Sequence, residues 1–354
     1  MSERLDLSYV VPVRWHDGAQ RGELAAYLAR IAPQVAEVIV VDGSGPEVFA
    51  ANAAAWGEHA RHLPPAPGER WLMGKVGGVR TGVELASRER LVIADDDVRY
   101  EPAALRRAAE LLERHDLVRP QNYFSRLPWH ARWDTARTLL NRSFGRDYPG
   151  TLAVRRTRML AMGMYDGDVL FENLELIRTV RAHGGSIASP LDLYVARLPP
   201  SAAHFWGQRT RQAYDDFALP LRMALWLAVL PLLAVDRRLF RADGPKTSLC
   251  GAKSPRRRRL APIAAALSIG AAELGRRRGG GAAVFPVTSA LLAPVWILER
   301  GVCAWLAVGQ RLRFGGVRYG DSVIPVAAHS ERQLRRRLSR RESAAEARAG
   351  RILA

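Results

Sequence analysis

The sequence predicts an α/β domain with a mostly parallel sheet, joined to a C-terminal helical region that is apolar and basic. Short β-branched runs alternate with helically spaced segments from residue 7 to residue 119, the pattern of successive βα units. Aspartates directly follow two of those runs, at the carboxyl ends where sheets of this class bind ligands. Beyond residue 216 the composition changes, and apolar stretches alternate with arginine runs.

The first strand is Leu7–Val13 (Leu-Ser-Tyr-Val-Val-Pro-Val), with Pro12 near its end. Gly22–Ile31 carries Leu24, Tyr27, Leu28 and Ile31 at helical spacing. Glu37–Val41 is a second strand, stopped by the turn-forming run Asp42-Gly43-Ser44-Gly45-Pro46. Glu47–His59 reads as helix, and Gly74–Ala86 opens with glycines and continues as one. Arg90–Ala94 is a third strand and ends in Asp95-Asp96-Asp97. Pro102 opens a helix that runs to Arg114, and Asp116–Arg119 is a further short strand.

A chain of 354 residues, 48% of them hydrophobic, can bury a core. Its two cysteines, Cys250 and Cys303, exclude a disulfide framework and a cysteine-rich zinc module. The formal net charge is +18, and its location says more than its size. Residues 1–216 hold 28 basic and 27 acidic side chains, whereas residues 217–354 hold 25 and 8. Three parts are expected: the α/β domain over 1–216, a helical membrane-associated region over 217–320, and a basic, flexible tail over 321–354.

In the middle part Leu219–Val235 is apolar except for Arg222, and a basic linker then leads through Arg256–Arg259. Leu260–Ala272 is apolar and is followed by Arg276-Arg277-Arg278. Gly279–Leu298 is a twenty-residue stretch without charge, long enough to span a bilayer, before Glu299 and Arg300 interrupt it. Arginine flanks suit phosphate headgroups, and short apolar runs with basic flanks on both sides also fit re-entrant or interfacial helices. Integral or tight membrane association is therefore expected, with an anionic membrane surface as partner. Nucleic acid is not expected, because the well-formed domain is neutral. The segment Met1-Ser-Glu-Arg-Leu-Asp has no apolar run behind a basic stub, so the front domain is expected to face the cytosol at the cytoplasmic membrane.

The run Asp95-Asp96-Asp97 puts three carboxylates at the mouth of a hydrophobic strand. Asp95 and Asp97 share one side if the extended backbone continues through them. Two hard oxygen ligands suit Mg²⁺ or Mn²⁺ that also holds phosphates. A cation also offsets the mutual repulsion of crowded carboxylates.

Taken together, Val11-Pro12-Val13, the strand ending Val-Asp42-Gly-Ser, Gly74-Lys75 with Gly78 and Gly82, and Ile-Ala-Asp95-Asp96-Asp97-Val resemble a family 2 glycosyltransferase of the GT-A fold. That fold is a Rossmann-like mixed sheet. The resemblance covers residues 7–216 and is nearest to membrane-bound members similar to ceramide glucosyltransferase. It implies a nucleotide-diphospho-sugar donor, a divalent metal and a lipid or polyprenyl acceptor. It also implies that Asp42 contacts the base or ribose, that Asp95 supports the nucleotide-sugar with Pro12 and Asp96 beside it, and that Asp97 binds the metal, Asp95 assisting. Lys75 fits independently, as a cation after a glycine that can approach the diphosphate or the uracil edge.

Later segments extend the resemblance. Asp147-Tyr-Pro-Gly150 through Arg156 is similar to the family's small-residue segment beneath donor sugar and acceptor. Asp168-Val-Leu-Phe-Glu172-Asn173-Leu-Glu175 falls where the family has a Glu-Asp pair whose Asp is the base. Asn173 stands at that Asp and cannot take a proton at neutral pH. Glu172 is then the first candidate base, with Glu175 and Asp168 in reserve. Gln208 and Arg211 match the Gln-x-x-Arg-Trp motif, while Gln212 replaces its Trp; the matched Arg would pair with diphosphate oxygens. Trp129, His130 and Trp133 read as core or surface aromatics, or as the lining of an acceptor path. The eight histidines show no metal-ligand pairing.

Two rival classes make different demands. A nucleotidyltransferase shares fold and metal site, but its glycine-rich loop with Arg and Lys is missing from Pro12-Val-Arg14-Trp-His-Asp. A basic nucleic-acid-binding protein needs positive charge and stacking aromatics on a compact domain, whereas here the arginines flank apolar stretches.

Overall fold

The computed structural model describes residues 4–242, 260–320 and 322–340. In chain order the elements are β1 (Leu5–Val13), α1 (Arg21–Ile31), β2 (Val35–Asp42), α2 (Pro46–Trp56), β3 (Arg61–Leu63), α3 (Gly74–Leu85), β4 (Arg90–Ala94), β5 (Val98–Arg99) and α4 (Pro102–Leu111). There follow β6 (Leu117–Val118), β7 (Gln121–Phe124), α5 (Trp129–Phe144), β8 (Thr151–Arg155), α6 (Arg156–Ala161), α7 (Glu172–Ala182), β9 (Ile187–Ala188) and β10 (Tyr194–Arg197). The later elements are α8 (Ala202–Tyr214), α9 (Pro220–Ala242), α10 (Leu260–Arg277), α11 (Val287–Leu291), α12 (Ala293–Phe314), β11 (Val317–Tyr319) and β12 (Ser322–Ile324). The chain forms two compact units.

The described residues within 4–125, 148–198 and 318–340 form the first unit. Its main sheet runs β3-β2-β1-β4-β8-β6-β9. β1 lies between β2 and β4, parallel to both, whereas β8 runs antiparallel to β4 and to β6. The sheet is therefore mixed but mostly parallel, as expected, with β8 as its antiparallel strand. β1 is buried from Leu7 to Val13, as a central strand covered on both faces requires. Tyr9 is edge-on to Tyr27 and Tyr100, and its hydroxyl bonds that of Tyr27 at 3.0 Å. α3 packs on β1 so closely that a Cβ on Gly82 would come 2.4 Å from Val10 Cγ1, which only glycine avoids. A second sheet, β5-β10-β7, stands beside the acidic run.

The second unit comprises residues 126–147 and 199–317, an assembly of helices. The division differs from the expected boundary at 216. Residues 126–147 carry α5, whose buried Ala131, Ala136 and Leu139 pack with α10, α11 and α12. Sequence order hid this, because α5 is a helical insertion between two strands of the first unit. Residues 321–354 were expected to form a flexible tail, yet the described part of that segment is held in the first unit. Val326 accepts from the Leu170 N–H at 3.0 Å and Ala327 from the Phe171 N–H at 2.8 Å. Residues 331–340 are helical. Residues 341–354, like the basic linker at 256–259, lie outside the described residues.

The uncharged stretch 279–298 is not one helix. Gly279 and Gly280 take positive φ (58° and 72°), residues 278–283 form a 3₁₀ turn, and Pro286 precedes the short α11. Among the described residues no helix is long and apolar enough to cross a membrane. α9 has 23 residues but carries Arg222, Asp236, Arg237, Arg238 and Arg241 and has Pro231 inside it. The expected twenty-residue span is thereby corrected.

The second unit is arranged with charge inside. Arg300 is 1% exposed and pairs with Asp216, which also pairs with Arg222 at 3.0 Å. Arg209 sits between Asp134 (2.9 Å) and Glu299 (3.1 Å). Leucines face outward instead: Leu221 is 91% exposed, Leu312 83% and Leu267 70%. Glu299 and Arg300, which interrupt the apolar run, lie on the inner side of α12 beside the buried Trp296, Cys303 and Ala304.

Candidate active site

The candidate site is built at the carboxyl ends of β1, β2 and β4, in the first unit. β4 stops at Ala94, and residues 95–98 form a tight turn closed by the Val98 N–H on Asp95 O at 3.0 Å. Extended backbone therefore does not continue through the three aspartates. Asp95 and Asp97 nonetheless meet at one guanidinium, that of Arg197 at the end of β10. Its Nε lies 2.7 Å from Asp97 Oδ2 and its Nη2 lies 3.6 Å from Asp95 Oδ2. Gly150 lets this happen, because a Cβ there would come 2.5 Å from Asp95 Oδ2 and 3.2 Å from Arg197 Cζ.

Lys75, in the first turn of α3, reaches the same place. Its ammonium donates to Asp95 Oδ1 and to Glu172 Oε1, both at 2.5 Å. Burial works against its charge, but the two carboxylates prevail and hold the Lys75 pKa above its ordinary value. Asp95, Lys75 and Glu172, three sequence-selected residues from separate elements, thus form one ion-paired group. Tyr165 is buried nearby, and burial together with the Glu172 charge raises its pKa.

Asp97 has the most perturbed carboxyl of the run. Burial pushes its pKa up to about 6 against the opposing pull of Arg197, and the charges of Asp95 and Asp96 add to the rise. Its Oδ1 is buried without a hydrogen-bond partner. Asp96 accepts from the Trp15 indole N–H at 2.5 Å, and burial raises its pKa as well. Trp15, just past β1, also donates its backbone N–H to Ser44 at 2.8 Å, which ties the ends of β1, β2 and β4 together.

Asp42 ends β2 and is 1% exposed. Its oxygens accept from the Ser44 N–H (2.8 Å) and the Asn52 amide (2.8 Å), with His62 Nε2 at 3.0 Å. Burial alone would raise its pKa, but these bonds lower it to about 2. Pro12, in β1, is apposed to α3 at Gly78, where an added Cβ would touch its ring at 3.0 Å.

The three carboxylates named for the base occupy different places. Glu172 is at the start of α7 and faces Lys75. Asp168 caps the Leu72 N–H at 3.0 Å. Glu175 is 0% exposed, and its two oxygens face the His329 backbone N–H (2.7 Å) and Nδ1 (2.9 Å). Asn173 donates to Pro149 O at 3.1 Å, so an amide at this position pins the segment that carries Gly150. Asp166, Glu175 and His329 offer atoms within reach of a single cation. The Arg337 guanidinium is already among them, 2.8 Å from Asp166 and 2.9 Å from His329 Nε2.

Gln208 and Arg211 lie on α8 in the second unit, where Gln208 neighbours His204. Trp129, His130 and Trp133 of α5 form an aromatic cluster with Phe205 and Trp206 in that unit. Arg197, Trp15, His62 and His329 are not singled out by the sequence. Arg197 ends β10, Trp15 follows β1, His62 is the middle of β3 and His329 is in a loop, and the sheet register brings Arg197 beside Asp97.

No protein-family model and no curated relative matches the chain. It is similar in structure to a mannosyltransferase from Pyrobaculum calidifontis, solved with GDP-Man and Mn²⁺. The two share 16% identity over 88% of each chain, with a TM-score of 0.49. It is also similar to glucosyl-3-phosphoglycerate synthase from Mycobacterium tuberculosis, in complexes that include one with Mn²⁺, UDP and glucosyl-3-phosphoglycerate. There the identity is 19%, covering 56% of this chain and 74% of that one, with a TM-score of 0.38.

Proposed function

We propose that this chain is an inverting glycosyltransferase of family 2 and the GT-A fold, moving a sugar from a nucleotide-diphospho-sugar to a hydroxyl of a lipid or polyprenyl acceptor. The observation that carries the reading is the joined group Asp95–Lys75–Glu172, with Asp97 beside it, at the carboxyl ends of β1, β2 and β4. Asp97 and Asp95 would hold a divalent cation. Asp97 presents a buried oxygen without a partner, and the donor set is all carboxylate, which fits Mg²⁺ or Mn²⁺. When bound, such a cation supplies positive charge to the departing diphosphate.

The chain's own residues account for the rest. Lys75 is held protonated and can meet charge that develops on the leaving group. Glu172, which shares that ammonium with Asp95, takes the acceptor's proton. Asp42 anchors the end of β2 where the nucleoside would rest, with Pro12 and Asp96 around it. Gln208 and Arg211 are assigned to the diphosphate on their motif alone.

The membrane setting of the proposal rests on the second unit. Its leucine faces are exposed while its charges pair inside. Large apolar patches with basic rims suit an anionic bilayer. Docking in the plane of the interface on the cytosolic side needs no spanning helix.

Transfer or hydrolysis of UDP- and GDP-sugars by the full chain with Mn²⁺ tests the enzymatic reading. Asp97→Ala is expected to abolish turnover. Glu172→Gln is expected to lower kcat by roughly 10²–10⁴-fold, the usual contribution of a general base. Undiminished turnover in Asp97→Ala would sink the metal assignment. Release of pyrophosphate in place of nucleoside diphosphate would select a nucleotidyltransferase.

A further inference from the structure

Arg197 belongs to no motif, yet the fold fixes it beside the acidic turn twice over. β10 pairs antiparallel with β5, placing Arg197 opposite Val98, and the Leu198 N–H donates to Asp97 O at 2.8 Å. β10 also pairs parallel with β7, and Ser125 donates its N–H to Arg197 O at 2.9 Å. From this backbone the guanidinium contacts both Asp97 (2.7 Å) and Asp95 (3.6 Å). Lys75 touches Asp95 on its other oxygen, and Arg99 spends its Nη1 on the carbonyls of Asp96 and Val98. Arg197 is the cation shared by the two carboxylates that the proposed function gives to the metal.

A guanidinium keeps its charge at any working pH, so it competes with a metal for the two carboxylates unless another anion receives it. A bare divalent cation offers no such anion. A nucleoside diphosphate does, because its oxygens match the guanidinium fork.

Resting on the proposed metal and nucleotide site, we propose that Arg197 is the resident counter-cation of Asp95 and Asp97 and makes divalent-cation binding conditional on a nucleoside diphosphate. Without the nucleotide, Arg197 neutralises the pair and metal binds weakly. With it, Arg197 transfers to the diphosphate and both carboxylates turn to the metal. The coupling is reciprocal: metal strengthens nucleotide binding by the same factor.

The test is Mn²⁺ binding to the full chain, read from the free-Mn²⁺ paramagnetic resonance signal, alone and with saturating UDP or GDP. In wild type, nucleotide is expected to tighten Mn²⁺ by about tenfold or more, within the usual range of such couplings. In Arg197→Met, Mn²⁺ alone is expected to bind about tenfold tighter than in wild type, and the nucleotide effect to shrink by a similar factor to what direct ligation by the diphosphate supplies. Arg197→Gln reads the same quantity should the Met variant not fold. Arg99→Met removes an equal charge that contacts backbone carbonyls, and it is expected to leave Mn²⁺ binding nearly unchanged. Equal tightening in the Arg99 and Arg197 variants, or none in either Arg197 variant, overturns the role of Arg197. Wild type that binds neither Mn²⁺ nor nucleotide overturns the proposed function itself, a separate outcome.

Discussion

The two units differ in which large apolar side chains they leave exposed and in how many ion pairs they bury. In the first, β1 and its neighbours bury Leu7, Val10, Val40 and Val92, and outside the candidate site and the Glu175–His329 pair ion pairs such as Arg88–Asp6 stay at the surface. In the second, Arg209, Glu299, Arg300 and Asp216 are inside, and Leu221, Leu267 and Leu312 are outside. Water rewards the first arrangement and penalises the second. An apolar solvent reverses both preferences, because charges then gather on the inner face of a helical assembly. The difference teaches that the +18 charge of the chain is not spread along one kind of surface. Part of the arginine content neutralises buried acids, as Arg209 and Arg300 do.

The largest effect that can break this comparison is expected at Glu299. Its carboxylate pairs with Arg209, itself 2% exposed, and Cys303 Sγ lies 3.3 Å away. Glu299→Ala leaves a buried guanidinium with Asp134 as its remaining acid partner, and loss of one member of a buried pair costs about 3–5 kcal/mol. Thermal unfolding in detergent measures it. A change under about 1 kcal/mol would put the pair in the class of solvated surface bridges and erase the contrast.

The exposed leucines give the next effect. Leu221→Ser with Leu312→Ser removes two large apolar side chains from α9 and α12. At roughly 1.5–3 kcal/mol per leucine buried, partition into vesicles is expected to fall by about a hundredfold or more. Sedimentation with vesicles of anionic and of neutral lipid reads it. Unchanged partition on both would mean that these faces meet a second protein copy or nothing, and a concentration-dependent mass would identify the copy.

Asp42 is a buried charge of the first unit that Ser44, Asn52 and His62 hold. Its pKa is depressed from 3.8 to about 2 in the folded chain. The stability it contributes is therefore present above about pH 4 and is lost as pH falls through 2. A shift of this size corresponds to about 2 kcal/mol. The difference in stability between wild type and Asp42→Asn is expected to shrink over that interval in acid titrations followed by circular dichroism. A constant difference would show that the three bonds do not favour the charged form.

Much of the first unit was legible in the sequence, because buried strands write themselves as β-branched runs. β1, β2 and β4 and helices α1 to α4 lie where periodicity and turn residues put them, and Asp95, Lys75 and Glu172, which the sequence named, lie in one ion-paired group. β3 was missed because three residues carry no period. Arg197 and His329 were missed because their partners lie 100 and 154 residues away in the chain. The second unit was legible in composition and not in facing. Glu299 and Arg300 look like interruptions of an apolar run, and only helical rotation with α8 and α9 for neighbours shows that they are its inner face. A linear boundary at 216 failed for a related reason: α5 is inserted between strands, and residues 322–340 return to the first unit after the helices end.

The smallest effect completes the comparison. Asp6 and Arg88 in the first unit are an ion pair at 3.4 Å, with side chains 65% and 48% exposed. By distance this pair differs little from Arg209–Glu299 at 3.1 Å. Solvent decides otherwise, since water screens both charges and the two long side chains lose freedom when they meet. Asp6→Ala is expected to change unfolding free energy by about 0.5 kcal/mol or less, and added salt should remove what remains. If Asp6→Ala and Glu299→Ala cost the same, geometry alone would govern the two pairs and burial would explain neither. A ratio of severalfold between them, with the Glu299 loss insensitive to salt, ties the value of each pair to where its unit keeps its charge.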